Sequence, residues 1–445
     1  MIDFNASLDP VNGLVDTSVL LPPSPPVDLL WRSMVSLVGA AEGHPGGTAT
    51  GGGRALDPQV VGAYGHSRRD AVTRGVGEGV ERYALFPHRA APAGAVRRRR
   101  SELDGSALEF ERADVALGSP EAVDERMNWY PARRVVDDTR VWVPAPLVDY
   151  PVAVPQQGAE LRHLFDPSPS GAASGQGTGH ALRSALLEIV ERDALLVAWQ
   201  RQSALRLVDL DASLTGRDNA NWRRLARLRE AARRAGLTLL AADLPTAIPG
   251  VVCTVGIVLD TTASVPLATV GCNATDDVAW SILGALQEAL QIRSVIVNAW
   301  QAGWGDAPTP APTTILDDAD RLRYVASREN FHAVRRWLSH FRPPLAPSVE
   351  HRVRTDDIVR AMAADGADPL VVELTHRLPT PLQDMGWAAV KAIVPGYQPL
   401  RMIERLDFTW NRSRLATATQ RTGLPAVPCD PHQGEDAGPG PHPLP

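Results

Sequence analysis

Apolar and polar residues recur with a helical period in four long stretches of this 445-residue chain. The spacing predicts helices over 67–86, 181–199, 219–235 and 275–300. Apolar runs of strand length predict strands over 237–244, 251–259, 370–374 and 388–393. The alternation over 141–154 is interrupted by prolines and predicts an edge strand. Because helices and strands alternate without a strict repeat, we expect an α/β, mixed α+β fold in which helices pack on sheets.

Proline and glycine are concentrated near the two ends of the chain. Four prolines lie close together between Pro22 and Pro26, which predicts an extended or loop-like opening. After about Gly423 the chain turns polar and rich in proline. These changes in composition predict an N-terminal segment over 1–53, a central domain over 54–423 and a C-terminal tail over 424–445.

Charge and cysteine content narrow the class of protein. The chain has 45 basic and 51 acidic side chains, and Lys391 is its only lysine, so we expect no nucleic acid partner. The three cysteines are far apart and give neither a disulfide framework nor a zinc spacing, which favours a reducing compartment. No apolar stretch is long enough to span a bilayer, and no secretion signal opens the chain. We therefore expect a cytoplasmic protein that does not bind a membrane.

The arrangement Glu-x-x-Glu-Arg occurs twice, at 78–82 and at 188–192. Positions three apart lie on one face of a helix, so each copy places two carboxylates together with an arginine beside them. Like charges at this spacing repel, and a protein core tolerates them only with a cation. Carboxylates suit Mg²⁺, which leaves its other positions to water and phosphate oxygens, so the repeat predicts ATP held through this metal. The four predicted ligands are Glu78, Glu81, Glu188 and Glu191.

A third group of polar residues lies on the helix predicted over 275–300. Glu288 and Gln291 are three apart and share a face, with Arg293 close by. Alone, such a set is typical of a solvated helix face, and the arginine of each acidic motif can simply pair with the glutamate four residues back. Together the three groups favour a shared nucleotide site. The chain has no Gly-x-x-x-x-Gly-Lys loop, so ATP would bind in an uncommon way.

In this order, the three groups resemble the signature of the YcaO family. They lie at 77–83, 185–194 and 285–293, and the segment 390–400 is similar to the family's late strand and Pro-Gly turn. The last residues, Pro441 to Pro445, resemble the Pro-x-Pro-x-Pro terminus of the azoline-forming branch. The resemblance runs from about residue 10 to the end. It implies a YcaO-like fold around a central ATP site, with 54–423 as the catalytic domain.

The resemblance implies an ATP-dependent cyclodehydratase of thiazole and oxazole peptide biosynthesis, which includes the thiopeptides. A Cys, Ser or Thr side chain of a ribosomal precursor peptide attacks the preceding amide carbonyl. The resulting oxyanion takes the γ-phosphoryl group of ATP, and an azoline ring remains when phosphate leaves. This chemistry requires charge neutralisation around the phosphates.

The resemblance also implies roles at particular positions. The four glutamates would bind Mg²⁺, and Arg82 and Arg192 would be catalytic through contacts to phosphates or to the carboxylates. The other nucleotide-binding positions would be Arg74, Ser184, Glu288, Gln291 and Arg293, and Arg293 would also contact phosphates or orient the carboxylates.

Three features depart from the family pattern. Arg74 stands where the first motif usually has Ser, and His180 and Ser184 stand where Glu and Gln commonly precede the second motif. The glycine-rich loop expected near the N-terminus has no lysine. These departures indicate either an altered nucleotide pocket or reduced intrinsic activity.

The C-terminal tail has two interpretations. Composition alone favours a disordered end. Prolines at alternate positions stiffen the backbone, so little entropy is lost when such a tail lies in a groove. The resemblance implies that the terminal carboxylate of Pro445 enters the active site as a catalytic group. Removing the last residues should then abolish ring formation and leave the fold intact.

Partners follow from the resemblance as well. The leader of the precursor peptide would be held by a separate ubiquitin-activating-like (ThiF-like) protein, because the chain leaves no room for a fused leader-binding module. A homodimer is common in the family. Two alternatives stay open: a YcaO enzyme that forms thioamides or amidines, and a non-catalytic scaffold that binds a precursor peptide without ATP.

Overall fold

The structure is a computed structural model of the chain. It describes residues 2–39, 60–86, 89–110, 124–150, 165–211, 219–263, 265–303, 311–312, 314–345, 352–404, 406–425 and 439–444. The chain divides into two compact units. Unit 1 contains Met1–Leu21, Arg32–Ile189 and Thr355–Asn411, and unit 2 contains Pro22–Trp31, Val190–Arg354 and Arg412–Pro445.

Strands and helices are numbered in chain order over the described residues. The strands are β1 Val15–Leu21, β2 Trp31–Leu37, β3 Val60–Gly65, β4 Val96–Arg98, β5 Met127–Arg134, β6 Arg140–Pro144, β7 Ala172–Gln176, β8 Arg206–Val208, β9 Thr238–Leu244, β10 Val252–Asp260, β11 Leu267–Thr275, β12 Arg342–Leu345, β13 Leu370–Glu373 and β14 Trp387–Ile393. The helices are α1 Arg68–Leu85, α2 Gly177–Gln200, α3 Ala220–Arg234, α4 Val278–Gln301, α5 Asp318–Val325, α6 Arg328–Ser339, α7 Thr355–Ala364, α8 Thr380–Asp384 and α9 Arg412–Thr422. None of these helices has the length and apolar character that a membrane crossing needs.

Unit 1 contains two sheets. The first has the order β1-β2-β3, and the second has the order β4-β5-β13-β14-β7, with β6 also paired to β5. Buried positions alternate along β2, where Ser33, Val35 and Leu37 face inward. This alternation is expected of a strand with one face on the core.

Helix α1 packs against strands of both unit 1 sheets. It begins after Ser67, whose hydroxyl accepts a hydrogen bond from the Asp70 N–H at 3.2 Å. A Cβ at Gly75 would lie 2.4 Å from Ser33 Oγ, so glycine allows the helix to approach the sheet this closely. The packing leaves Glu78 and Glu81 on the less buried face of the helix.

Unit 2 is built on one sheet with the order β11-β10-β9-β8-β12. Helix α4 lies on β10 and β11. A Cβ at Gly271 would lie 2.4 Å from the carbonyl oxygen of Ala285, so the helix backbone rests directly on the strand. Asp277 caps α4 by accepting a hydrogen bond from the Trp280 N–H at 2.8 Å. Because β11 is an edge strand, one side of its backbone is available to other groups.

Most of the predicted elements are confirmed. The four predicted helices correspond to α1, α2, α3 and α4, and the four predicted inner strands correspond to β9, β10, β13 and β14. The mixed α/β fold is likewise confirmed. The edge strand predicted over 141–154 is shorter, since β6 ends at Pro144 and a 3-10 turn over Ala145–Leu147 follows; residues 151–154 lie outside the described residues. The domain boundaries after 53 and 423 remain predictions.

Candidate functional site

The first acidic motif forms a crowded group of carboxylates in unit 1. Glu81 of α1 is half-buried. Burial raises the pKa of Glu81 well above its ordinary value, and the negative charges of Glu78 and Glu188 raise it further. Arg82 and Lys391 act in the opposite direction, with smaller effects. Three of the four predicted metal ligands therefore interact electrostatically within this unit.

Arg82 pairs with its own motif. Its Nε donates to Glu78 Oε1 at 3.0 Å, four residues back along α1. The guanidinium also lies 5.6 Å from the ring centroid of Tyr150. The first motif thus contains the pairing of its arginine with the glutamate four residues back. Within the described residues, no hydrogen bond or ion pair reaches the Glu81 carboxylate.

Lys391 is a buried cation of unit 1 that sequence reasoning did not assign to the site. Its Nζ donates to the carbonyls of Ser168 at 2.6 Å and Ser170 at 2.5 Å. Burial lowers the pKa of Lys391 to about 8, although the charges of Glu188 and Glu81 oppose this change. The sequence does contain a signal for this residue, because the only lysine of the chain lies in a buried strand.

A cavity of about 70 Å³ lies beside Lys391. Its walls are mostly apolar, with a few polar side chains. The lining residues are Leu147, Asp166, Ser168, Ser170, Ile189, Lys391, Ala392, Ile393, Val394, Pro395, Tyr397 and Pro399. Asp166 is held in place by the N–H groups of Met402 at 3.0 Å and Ile403 at 3.1 Å.

Glu191 and Arg192 of the second acidic motif have different surroundings in unit 2. Glu191 Oε2 accepts a hydrogen bond from the Ala274 N–H at 3.0 Å, and Glu288 Oε2 accepts one from the Cys272 N–H at 2.6 Å. Both donors are on the edge strand β11. Arg192 joins the two carboxylates, since its Nη1 lies 3.0 Å from Glu191 Oε1 and its Nη2 lies 3.6 Å from Glu288 Oε1. These carboxylates already have donors and a counter-charge.

Arg293 makes a buried ion pair. Its Nε donates to Asp260 Oδ2 at 2.8 Å, and its Nη1 donates to the carbonyls of Pro26 at 3.1 Å and Val27 at 2.8 Å. Arg293 is 4% exposed and Asp260 is 1% exposed. Burial acts to raise the pKa of Asp260, but hydrogen bonds from Thr262 and Arg293 outweigh it, and the pKa lies below its usual value. This geometry favours a structural role for Arg293, and its predicted phosphate contact remains a prediction.

The other predicted nucleotide-binding residues have varied environments. Arg74 Nε lies 3.4 Å from Asp70 Oδ1, one turn earlier on α1. Ser184 on α2 and Gln291 on α4 are half-buried. Their roles as nucleotide contacts remain predictions.

The C-terminal tail is packed into unit 2 over its last described residues. The Trp199 Nε1–H donates to the Gly440 carbonyl at 3.2 Å, and Arg321 Nη1 donates to the His442 carbonyl at 3.3 Å. Leu444 is 2% exposed. Pro445, the predicted catalytic terminus, lies outside the described residues.

Two further contacts of unit 2 were not predicted. Asp193, directly after the second motif, forms a buried ion pair with Arg414 of α9, with Arg414 Nη2 2.7 Å from Asp193 Oδ2. Cys253 and Cys272 are both free and buried, with their sulfur atoms 3.6 Å apart. Their separation along the chain hid this proximity, which the pairing of β10 with β11 creates.

The donor chemistry of unit 1 fits Mg²⁺. Within the described ranges, no three His, Cys, Asp or Glu side chains form a ready-made metal cluster. Mg²⁺ usually takes only one or two carboxylates from the protein and fills its other positions with water and phosphate oxygens. A carboxylate whose pKa is raised by neighbouring negative charges is stabilised by an added cation. The assignment of individual ligands remains a prediction.

A family model described as a YcaO cyclodehydratase, ATP- and Mg²⁺-binding, matches residues 62–398. This match covers most of the chain, which therefore belongs to the YcaO family. ATP and Mg²⁺, the predicted cofactors, are confirmed at the level of the family.

Solved structures share the fold. A heterocyclase in complex with substrate and cofactor is 20% identical, with a TM-score of 0.66 over 95% of this chain and 55% of that chain. YcaO from Methanopyrus kandleri, bound with AMPPCP and Mg²⁺, is 15% identical, with a TM-score of 0.59 over 96% of this chain and 93% of that chain. The E. coli microcin synthetase McbBCD complex is 12% identical, with a TM-score of 0.62 over 86% of this chain and 88% of that chain.

The chain spans about half the length of the heterocyclase that it resembles. A sequence relative, an uncharacterized protein of Methanothermobacter thermautotrophicus, is 29% identical over 185 residues. That match covers 41% of this chain and 45% of the relative.

Proposed function

We propose that this protein is an ATP-dependent cyclodehydratase that converts Cys, Ser or Thr of a ribosomal precursor peptide to thiazoline or oxazoline. Membership of the cyclodehydratase family and the fold shared with a heterocyclase support the reaction class. The amide oxygen of the peptide is phosphorylated by ATP, which turns a poor leaving group into a good one.

The observation that carries the proposal is the crowding around Glu81. Its pKa is raised by burial and by two neighbouring carboxylates, which is a costly arrangement in a protein without a ligand. Strongly shifted pKa values of this kind are typical of functional sites.

The residues of unit 1 would hold the metal. Bound Mg²⁺ neutralises negative charge on the phosphates of ATP. Glu78, Glu81 and Glu188 are its proposed ligands in this unit, and Arg82 orients Glu78 through their 3.0 Å contact. Glu191 keeps its sequence-based assignment as a magnesium ligand.

The residues of unit 2 would support the nucleotide. Arg192 links Glu191 to Glu288, and the N–H groups of β11 fix both carboxylates. We assign the remaining nucleotide contacts to Arg74, Ser184, Gln291 and Arg293 from their positions in the family motifs, where Arg74 and Ser184 replace the usual residues.

Peptide and partner belong to the same proposal. The heterocyclase was solved with substrate, and the microcin synthetase was solved as a McbBCD complex. We infer that this chain acts on a ribosomal precursor peptide together with a separate ThiF-like protein that holds the leader, and that it has little activity alone.

Mass spectrometry of a neighbouring precursor peptide tests the function. The peptide is incubated with this protein, the ThiF-like partner, ATP and Mg²⁺, and each ring is expected to remove one water from its mass. A chain truncated before Pro445 should bind ATP and leave the peptide unchanged, because Pro445 is proposed to act on the peptide. An unmodified peptide with every component present would contradict the cyclodehydratase, and full turnover by the truncated chain would contradict the role of Pro445.

A further inference from the structure

Lys391 holds a loop of unit 1 against strand β14. Its Nζ, on a residue only 2% exposed, donates to the carbonyls of Ser168 and Ser170. The N–H of the next residue, Ala392, donates to the Gly171 carbonyl at 2.7 Å. Three carbonyls of the loop 168–171 are therefore bound by two consecutive residues of one strand.

The same loop presents its last N–H to a proposed magnesium ligand. The Gly171 N–H donates to Glu188 Oε2 at 3.1 Å. Gly171 has a φ of +82°, and a Cβ there would lie 2.5 Å from the Ala392 carbonyl oxygen, so only glycine fits this close to the strand. The position of Glu188 thus depends on how firmly the loop is held on β14.

Lys391 also acts on the carboxylates by its charge. Glu188 and Glu81 are the two strongest charges that stabilise its ammonium group, and Lys391 in turn favours the ionised form of Glu81. A buried ammonium is expensive unless negative groups compensate for it. Because Lys391 is the only lysine of the chain, no other ammonium side chain can take this place.

We propose that Lys391 is a positioning residue of the magnesium site: it fixes the loop that orients Glu188, and its buried ammonium group offsets part of the negative charge of the crowded carboxylates. This inference rests on the proposed function, since it requires the unit 1 carboxylates to bind Mg²⁺. It assigns Lys391 no contact with the peptide or the phosphates.

Calorimetry of Mg²⁺ binding in the presence of AMPPCP tests the role. Removing an outer partner of a metal ligand typically weakens metal affinity about 10- to 100-fold, and we expect a loss of this size in Lys391→Met. Lys391→Arg keeps the charge and the donors and should recover most of the affinity. Arg134→Met is the matched control, because it also removes a cation from the same sheet; Arg134 pairs with Asp368 at 2.9 Å, and its loss should leave Mg²⁺ affinity unchanged.

The outcomes separate the two proposals. If wild-type protein binds Mg²⁺ with AMPPCP and Lys391→Met binds it equally well or more tightly, the role of Lys391 is overturned and the proposed function is not. Wild-type protein that binds no Mg²⁺ with AMPPCP would overturn the proposed function, and the role of Lys391 with it.

A second measurement needs no variant, in case Lys391→Met does not fold. Wild-type protein labelled with [¹³C,¹⁵N]lysine has a single lysine side chain, so its NMR signal is assigned without ambiguity. Mg²⁺ added with AMPPCP should move this signal, and AMPPCP without Mg²⁺ should move it less. A signal that stays in place when calorimetry shows that Mg²⁺ binds would overturn the proposal.

Discussion

The two Glu-x-x-Glu-Arg motifs are alike in sequence and different in surroundings. In the first, Glu81 faces the charges of Glu78 and Glu188, and its pKa is raised by burial and by those charges. In the second, Glu191 accepts a backbone N–H of β11 and contacts Arg192. Glu81 is thus crowded by negative charge, whereas Glu191 already has a counter-charge.

This difference shows how much the spacing alone determines. A three-residue interval places two carboxylates on one helix face in both copies. Whether they then repel or are stabilised depends on strands and loops far away in the sequence. The carboxylates of unit 1 are the group that gains most from a cation, whereas those of unit 2 are held in place without one.

The largest effect is expected when the buried ion pair of unit 2 is removed. Arg293→Met leaves Asp260 buried without its cation, and breaking a buried pair costs about 3–5 kcal/mol of unfolding free energy. Because the pKa of Asp260 is lowered in the folded protein, the pair stabilises the fold above the pKa of the unfolded chain. This contribution is lost as the pH falls through the folded pKa. Urea titrations at neutral and acidic pH measure both effects.

Arg233→Met is the control for this substitution. Arg233 also pairs with a carboxylate, Glu230, but at an exposed position, so little change is expected. If Arg293→Met keeps its stability and loses only affinity for AMPPCP with Mg²⁺, the predicted phosphate contact of Arg293 is the correct interpretation.

Glu81→Gln tests whether the Glu81 carboxylate is destabilised by the negative charges around it. Loss of a proposed ligand should weaken Mg²⁺ binding with AMPPCP by about 100-fold or more, beyond the range seen for outer partners. The metal-free protein should become more stable, because glutamine carries no charge to bury or to repel. In wild type, the pKa of Glu81 is higher in the folded protein than in the unfolded chain. The stability of wild type therefore falls as the pH rises from the unfolded pKa to the folded pKa. The variant should lack this fall.

Calorimetry measures the change in Mg²⁺ binding, and urea titration of the metal-free protein measures the change in stability. Glu329→Gln, at an exposed position in the first turn of α6, is the matched control and should change neither. A metal-free Glu81→Gln protein that is less stable than wild type would show that Glu81 is a satisfied structural carboxylate, like Glu191.

Sequence reasoning succeeded where the signal is local. Helical periodicity located α1, α2 and α4, and the apolar runs located β10 and β14, because burial of one face imposes these patterns directly. It also placed the only lysine in a buried strand, which the structure confirms.

It could not find contacts that depend on strand pairing. The N–H groups of Cys272 and Ala274 reach Glu288 and Glu191 because β11 is an edge strand, and β11 contains no proline that would mark it as one. The loop that links Lys391 to Glu188 is more than 200 residues from the lysine along the chain. Backbone donors carry no side-chain signature, so a search for polar motifs passes over them.

The smallest of the three effects is expected for Glu191→Gln, the same substitution at the corresponding position of the second motif. The amide oxygen can still accept the Ala274 N–H, but the charged hydrogen bond and the pairing with Arg192 are weakened. Hydrogen bonds to charged groups contribute about 1.5–3 kcal/mol, so we expect unfolding free energy to fall by up to that amount. Glu81→Gln and Glu191→Gln should therefore change the stability of the metal-free protein in opposite directions. If urea titration gives both substitutions the same sign, the two motifs share one environment, and the distinction between a carboxylate crowded by negative charge and one with a counter-charge is wrong.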